Sequence, residues 1–341
     1  MAINSYTGSA SSGNLTNLHA VVKLLKSVDA VEILDKFCLT IPVPANKTET
    51  VGMLRSVTPD PNVAEVAEGV NPAPRALTYE SVSKTFEEFA EVFAVTSRQA
   101  ELGEYDVLMH SKDRLMDLIK RTREKNAWYE YRAGTGVLYN SSAITARASV
   151  NGALTINRLR VASRDLHNNR ASYMREMTKG SVNDNTFPVE PAFVVLTHTD
   201  ARADIRAIAG FVAAPQVGGL KDYMPQLFGY VDEFAFVTSP ELEPFYGAGA
   251  AIGATGMKSV GGVNVDVYVY LVVAREALGK CSLKAAGGGT HVSLTVLDKA
   301  DKSDPTNQRR LVSARWWDAP VILNNNWLRR IEAGVVDQPV T

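Results

Sequence analysis

Residues 59–80 read PDPNVAEVAEGVNPAPRALTYE, and they lie at the centre of a stretch, 40–104, on which the reading of the chain turns. Pro42, Pro44, Pro59, Pro61, Pro72 and Pro74 punctuate that stretch. Proline cannot donate to a sheet ladder and breaks a helix interior. Two short β-like runs, Glu49–Val57 and Leu77–Thr85, are separated by Pro59, Pro61, Pro72 and Pro74, and no 3.6-residue apolar stripe crosses the region. A segment this long with little apolar surface of its own is either disordered or an interaction arm. We read it as an arm that lies on another molecule, which points to an assembly protein rather than an enzyme.

The arm ends at Glu104, where a charged helical pattern begins and runs to about Arg132. Leu108, Leu115, Ile119 and Trp128 share one side, with Leu118 close by, and Gly134 and Gly136 supply the stop. Lys112, Arg114, Lys120, Arg121, Arg123 and Lys125 cover the rest, with Asp113, Asp117 and Glu124 between them. Asp117 precedes Arg121 by one helical turn, a favourable pairing. Such a rod is roughly 40 Å long, enough for the backbone of a flat subunit. Before the arm, residues 1–13 are small and polar and are expected to be mobile. Leu15 to about Phe37 reads as an amphipathic helix, with Leu18, Val21, Val22, Leu25 and Val28 on one face. With no local partner in sequence, that helix is expected to dock elsewhere.

After Gly136 the pattern is mixed. Thr155–Asn169 reads as a helix, and Thr199 is placed as the cap of a second one that ends at Gly210. Phe193–Leu196, Glu233–Val237, Val263–Ala274, His291–Leu297, Leu311–Trp317 and Pro320–Leu323 read as strands, and Gly247–Gly262 as a flexible loop. The fold class is therefore α+β.

Composition narrows the function. The chain has 341 residues, 45% apolar and 21% charged, and a formal net charge of −1. That supports a sizeable core and argues against a generic polyanion binder. Two cysteines, Cys38 and Cys281, read as reduced thiols of a protein made in a cytosol. Neither a secretory leader nor an apolar run of membrane-spanning length is visible.

Motifs for chemistry are weak. Gly247, Gly249 and Gly253 miss the dinucleotide-loop spacing by one residue and lead into a strand rather than a helix. His19, His110, His167, His198 and His291 show no metal-ligand spacing, and His198 reads as a turn histidine beside a helix cap. Ser239 lacks a nucleophile elbow. No catalytic, cofactor or metal residues are assigned. Charge placement says more. Glu80, Glu87, Glu88, Glu91, Glu101 and Glu104 make the end of the arm acidic, whereas Arg147, Arg158, Arg160, Arg164, Arg170 and Arg175 make a later stretch basic. Two solvated faces would explain this. The sharper reading is that the acidic arm meets a basic surface of a neighbouring copy. Sequence-independent phosphate contact by some arginines ranks below it.

Three stretches follow one another in order: Ala67-Glu68-Gly69-Val70-Asn71-Pro72 in the arm, Gly229-Tyr230-Val231-Asp232-Glu233-Phe234 before Ser239-Pro240-Glu241, and a closing run. The closing run is Asp304-Pro305-x-x-Gln308-Arg309, Trp316-Trp317, Ile322-Leu323-Asn324 and Trp327-x-x-Arg330-Ile331-Glu332. Together they resemble the major capsid proteins of tailed bacteriophages, the HK97-type shell fold, with the enquatrovirus-like branch nearest. The resemblance spans about residues 20–335. It implies an N-terminal arm (1–40), an extended loop over an adjacent subunit (41–103), a peripheral domain around a spine helix (104–150 with 290–335) and an axial domain (151–289). It implies self-association into pentamers and hexamers of an icosahedral head around double-stranded DNA. Scaffolding, portal and decoration proteins are the expected partners, with the DNA touched non-specifically and no membrane involved. Assembly is expected in the host cytoplasm. The inter-subunit contact candidates are Glu68, Pro72, Glu80, Glu87, Glu88, Glu91, Arg114, Arg121, Arg158 and Arg164. An encapsulin-type cellular compartment is the alternative, and a soluble α+β enzyme ranks behind both.

Overall fold

The structure is a computed structural model. It describes residues 32–44, 50–57, 61–63, 65–66, 68–69, 71–72, 74–96, 107–174, 191–214, 226–253, 256–284, 292–297, 299, 304–306 and 308–337. In chain order the strands are β1 (Leu39–Pro44), β2 (Thr50–Ser56), β3 (Tyr79–Thr85), β4 (Glu87–Thr96), β5 (Val137–Tyr139), β6 (Phe193–His198), β7 (Val212–Ala213), β8 (Leu227–Val231), β9 (Phe234–Ser239), β10 (Tyr268–Val273), β11 (Leu278–Lys284), β12 (Val292–Leu297), β13 (Arg309–Asp318), β14 (Pro320–Ile322) and β15 (Leu328–Ala333). The helices are α1 (Val107–Tyr131), α2 (Ile156–Asn168) and α3 (Arg202–Ala207).

The largest sheet has seven strands in the order β5-β15-β10-β6-β9-β8-β7. Its central strands are buried on both faces, so they read as continuous apolar runs. Side chains alternate across the pleat and feed two cores. Phe193, Val195, Phe234, Phe236, Tyr270 and Ile331 pack with Leu159, Ala162 and Leu166 of α2 on one face. Val194, Leu196, Val237, Val269, Leu271 and Leu328 pack on the other face with Trp128 and Tyr131 of α1.

α1 holds 25 residues without a glycine or proline. Its C-terminal end lies under the large sheet. Its N-terminal half places Leu115 and Ile119 on a three-stranded antiparallel sheet, β12-β13-β4, against Val312, Ala314 and Trp316. One rigid rod therefore ties two sheets together. A third sheet, β1-β11-β14, lies at the junction, with β1 parallel to β11. β2 and β3 pair only with each other, from Thr50↔Thr85 to Ser56↔Tyr79, as a ribbon apart from the other sheets.

Several expectations shift. The helix expected over Leu15–Phe37 falls mostly outside the described residues. Its described end is one 3-10 turn, Leu34–Lys36, and Ile33, Leu34 and Phe37 are buried against this chain's own Trp128 and Tyr131. The arm root therefore docks locally, because α1 offers it an apolar seat. β4, read as part of the extended loop, pairs along its whole length with β13, since Phe89, Phe93 and Val95 alternate toward the body. β5 and β15, assigned to the peripheral domain, pair with each other inside the seven-stranded sheet. Thr199 does not cap α3: it opens a 3-10 turn, Thr199–Ala201, that leads into α3 and is itself capped by His198, whose Nδ1 accepts the Asp200 amide at 3.1 Å.

Trp128 is the joint between α1 and the large sheet. It is buried and its indole N–H donates to the Glu243 carbonyl at 2.9 Å. Trp128→Ala is expected to cost about 3–5 kcal/mol, read as a lowered urea midpoint of the dissociated subunit. A midpoint within error of wild type would contradict the assignment.

Candidate inter-subunit surface

The ribbon has one thin side to itself. Met53 and Val82 are cross-strand partners, and both pack on Val43, Phe86, Cys281, Ala319 and Val321 at the ribbon's root. Leu54 points the other way and is 76% exposed. Further out, Leu77 is 65% and Val63 77% exposed, and Tyr79 is also open. Isolated two-stranded ribbons are marginal in water, and exposed apolar side chains clustered on one projection mark contact surfaces. Val92 of β4 and Leu297 of β12 add to the apolar surface of the neighbouring three-stranded sheet.

The sequence-derived contact candidates fall into two groups. Glu68 and Pro72 are exposed in the connection between β2 and β3, with Gly69 at φ +79° making the turn. Glu87 and Glu91 are exposed on β4. Arg114 is exposed on α1, Arg164 on α2, and Arg158 is half-buried on α2. The others already hold partners within the chain. Glu80 pairs with Arg55 across the ribbon, Glu88 meets Arg315 at 3.2 Å, and Arg121 meets Glu241 at 2.7 Å. The basic stretch is also partly spent internally. Arg147 binds Glu332 and Arg160 binds Asp232 at 3.1 Å, while Arg175 lies outside the described residues.

The glycine-rich segment is not a free loop. Asp266 is fully buried, and its two carboxylate oxygens accept the amides of Gly247 at 2.7 Å and Val260 at 2.8 Å. Gly247, at φ +58°, makes the turn. At Gly249 a Cβ would lie 2.8 Å from the carbonyl oxygens of Val150 and Val265, so only glycine fits. This organised loop presents Tyr246, Val260 and Val263 to solvent. The signal was present in sequence as a carboxylate within an otherwise apolar run beside many glycines.

A second buried carboxylate lies in the large sheet. Glu332, fully buried in β15, takes two bonds from Arg147 at 2.8 and 2.7 Å and an ion pair from Arg330 at 2.9 Å. The guanidinium groups of Arg147 and Arg132 both lie over the Phe245 ring, at 3.6 and 4.4 Å from its centre. His198, the one histidine at a strand-to-helix turn, lies near Asp200, which is bound by Lys258 at 2.7 Å and Tyr268 at 2.8 Å. Burial lowers the imidazole below its ordinary range, against the pull of Asp200. Its lone pair is already used by the Asp200 amide, which favours the capping reading.

Residues 79–285, more than half of the chain, match a family model described as phage capsid protein. No curated protein matches the chain by sequence. Among solved structures, the capsid of Ralstonia phage GP4 is similar at TM-score 0.71 and 12% identity, over 99% of this chain and all of that one. The head structure of Helicobacter pylori bacteriophage KHP40 is similar at TM-score 0.61 and 12% identity, over 97% and 98%. An encapsulin from Synechococcus elongatus is similar at TM-score 0.53 and 12% identity, over 90% and 89%. At such identities these likenesses establish the fold, which is the HK97-type capsid fold.

Asp266→Ala is expected to open the loop. Two buried amides lose their acceptor, at about 1–3 kcal/mol each before relaxation. Limited proteolysis should then cut within 247–260, where wild type resists; an unchanged digestion pattern would refute the role. Arg147→Ala is expected to destabilise by about 2–3 kcal/mol in chemical denaturation, less than loss of a sole partner, because Arg330 still faces Glu332. No measurable loss would mean Arg330 alone neutralises Glu332.

Proposed function

The chain belongs to the phage capsid protein family, and on that premise we propose that it is the major subunit of an icosahedral head enclosing a double-stranded DNA genome. Its role is structural, and its place is the virion capsid. The observation that carries the finer reading is the β2–β3 ribbon. It leaves Leu54, Val63, Leu77 and Tyr79 exposed, apart from the sheets of its own body. A second copy lying under the ribbon would bury that surface, and repetition around a ring would make the burial mutual.

Within this reading we keep the expected domain plan in outline and draw its borders along the sheets. The ribbon (50–85) is the overlapping loop, and the sheet β12-β13-β4 with the N-terminal half of α1 is the peripheral part. The seven-stranded sheet carries the axial part, with the Asp266-organised loop at its tip. Glu68, Glu87 and Glu91 are the acidic groups placed to meet a neighbour, and Arg114, Arg158 and Arg164 are the basic ones. Such rim charges would set register and encounter rate more than affinity. Pentamers and hexamers, scaffolding, portal and decoration proteins, and non-specific phosphate contact complete the proposal, with assembly in the host cytoplasm. The encapsulin likeness keeps a cargo-holding compartment as the second reading.

Deleting residues 58–76 tests the ribbon. Negative-stain microscopy of the deleted protein, coexpressed with its head-assembly partners, should show no closed shells. The deleted subunit should keep a cooperative unfolding transition, because the large sheet lies elsewhere. Normal shells from the deleted chain would overturn the reading. Charge reversal at Glu87 and Glu91 should slow assembly more at low salt than at high salt, where screening has already weakened the attraction. A salt-independent effect would remove electrostatic steering from the account.

A further inference from the structure

The root of the N-terminal arm is held on a carboxyl group in a place where charge is costly. Ile33 and Leu34 are fully buried against α1. Their amides reach the same oxygen, Oε1 of Glu124, at 3.2 and 3.1 Å, and the Leu34 amide also approaches Oε2 at 3.3 Å. Glu124 is only 2% exposed. It lies one turn before Trp128 and two before Tyr131, on the buried stripe of α1 rather than among the solvated charges where the sequence pattern had placed it.

Four carboxylates gather at this junction. Glu32 and Asp35 come from the arm, Glu124 from α1 and Asp318 from the end of β13. Two cations face them, Arg123 from α1 and Lys280 from β11. Asp35 and Lys280 meet at 2.6 Å, whereas Arg123 reaches Glu32 and Asp35 only loosely, at 3.8 and 3.9 Å. Asp318 is 1% exposed, and among the described residues neither of its oxygens has a well-formed hydrogen bond. Cys38 and Tyr131, 3.0 Å apart, complete the titratable set. Burial pushes the thiol up to about 12 and the phenol well above its ordinary range, so both stay neutral.

Fully ionised, the junction would carry four negative charges against two positive, with Glu124 and Asp318 out of water and Glu32 and Asp35 partly exposed. Buried charge that lacks a partner is relieved by taking up a proton. Because both arm amides reach Oε1, a neutral Glu124 still offers them an acceptor there. Desolvation outweighs the Leu34 and Ile33 amides, which favour the ionised form, and with Asp35 and Glu32 it pushes Glu124 up to about 7; desolvation raises Asp318 as well.

We propose that this junction is a proton-gated clasp: residues 32–38 sit firmly on α1 while Glu124 holds a proton and loosen as it ionises. Lifting the arm returns the carboxyl to water and to its ordinary value of 4.5, so the docked state binds the proton more tightly. Docking is therefore strongest at low pH. It weakens as pH rises through the interval from about 5 to about 7, by up to about tenfold per pH unit for one proton, and levels off above.

Hydrogen exchange of the full chain, read by mass spectrometry, tests this. Protection of the peptide 32–38 is corrected at each pH for intrinsic exchange and compared with β10 as an internal standard. Wild type should lose at least tenfold protection at 32–38 between pH 5.5 and 7.5 while β10 stays constant. Glu124→Gln retains a carbonyl acceptor and carries no charge, so its protection should stay high and flat. A flat wild-type profile, or an equal slope in Glu124→Gln, would overturn the clasp. The wild-type profile alone decides should the variant fail to fold.

Discussion

α1 is the constraint on which the rest depends. Its two ends are seated in different cores, Leu115 and Ile119 on the β12-β13-β4 sheet, Trp128 and Tyr131 under the seven-stranded sheet. A continuous helix without glycine or proline transmits orientation along its length. The arm root, the junction sheet and the ribbon's root all attach around this rod. The ribbon differs from every other part in having a root but no seat for its outer half. The rest of the described chain buries most of its large apolar side chains in its own cores, with Val92, Leu297, Tyr246, Val260 and Val263 among the exceptions. The ribbon's unmet surface is thus a property of the architecture, and it is the reason for reading the molecule as one unit of a shell.

Much of this was legible in the residues. The helix over Val107–Tyr131 follows from Leu115, Ile119 and Trp128 at helical spacing, bounded by Gly134. The ribbon strands follow from β-like runs on either side of a proline-punctuated connection. Sheet membership was not legible. Nothing local in Leu328–Ala333 says that it pairs with both Val137–Tyr139 and Tyr268–Val273, because pairing across such sequence distances is set by burial of the completed sheet. For the same reason β4 looked like arm until β13 was placed beside it.

The contact candidates divide along similar lines. Composition located the acidic arm, yet Glu80, Glu88 and Arg121 are occupied by Arg55, Arg315 and Glu241, partners that only the folded chain brings near. The most consequential carboxylates were missed as such. Glu124, Asp266 and Glu332 each look like ordinary charged residues in the sequence, and each is buried to organise backbone or guanidinium groups around it. For Asp266 the clue was its apolar run, and for Glu124 it was the helical spacing to Trp128 and Tyr131, since a charged residue on a buried stripe needs a partner.

The most direct test of the central claim compares amide exchange in β2 and β3 between dissociated subunits and assembled particles. The account predicts weak protection of 50–85 in the free subunit, with strong protection there on assembly and β10 slow in both. Equal, strong protection of the ribbon in the free subunit would contradict it, because the ribbon would then be satisfied by its own chain.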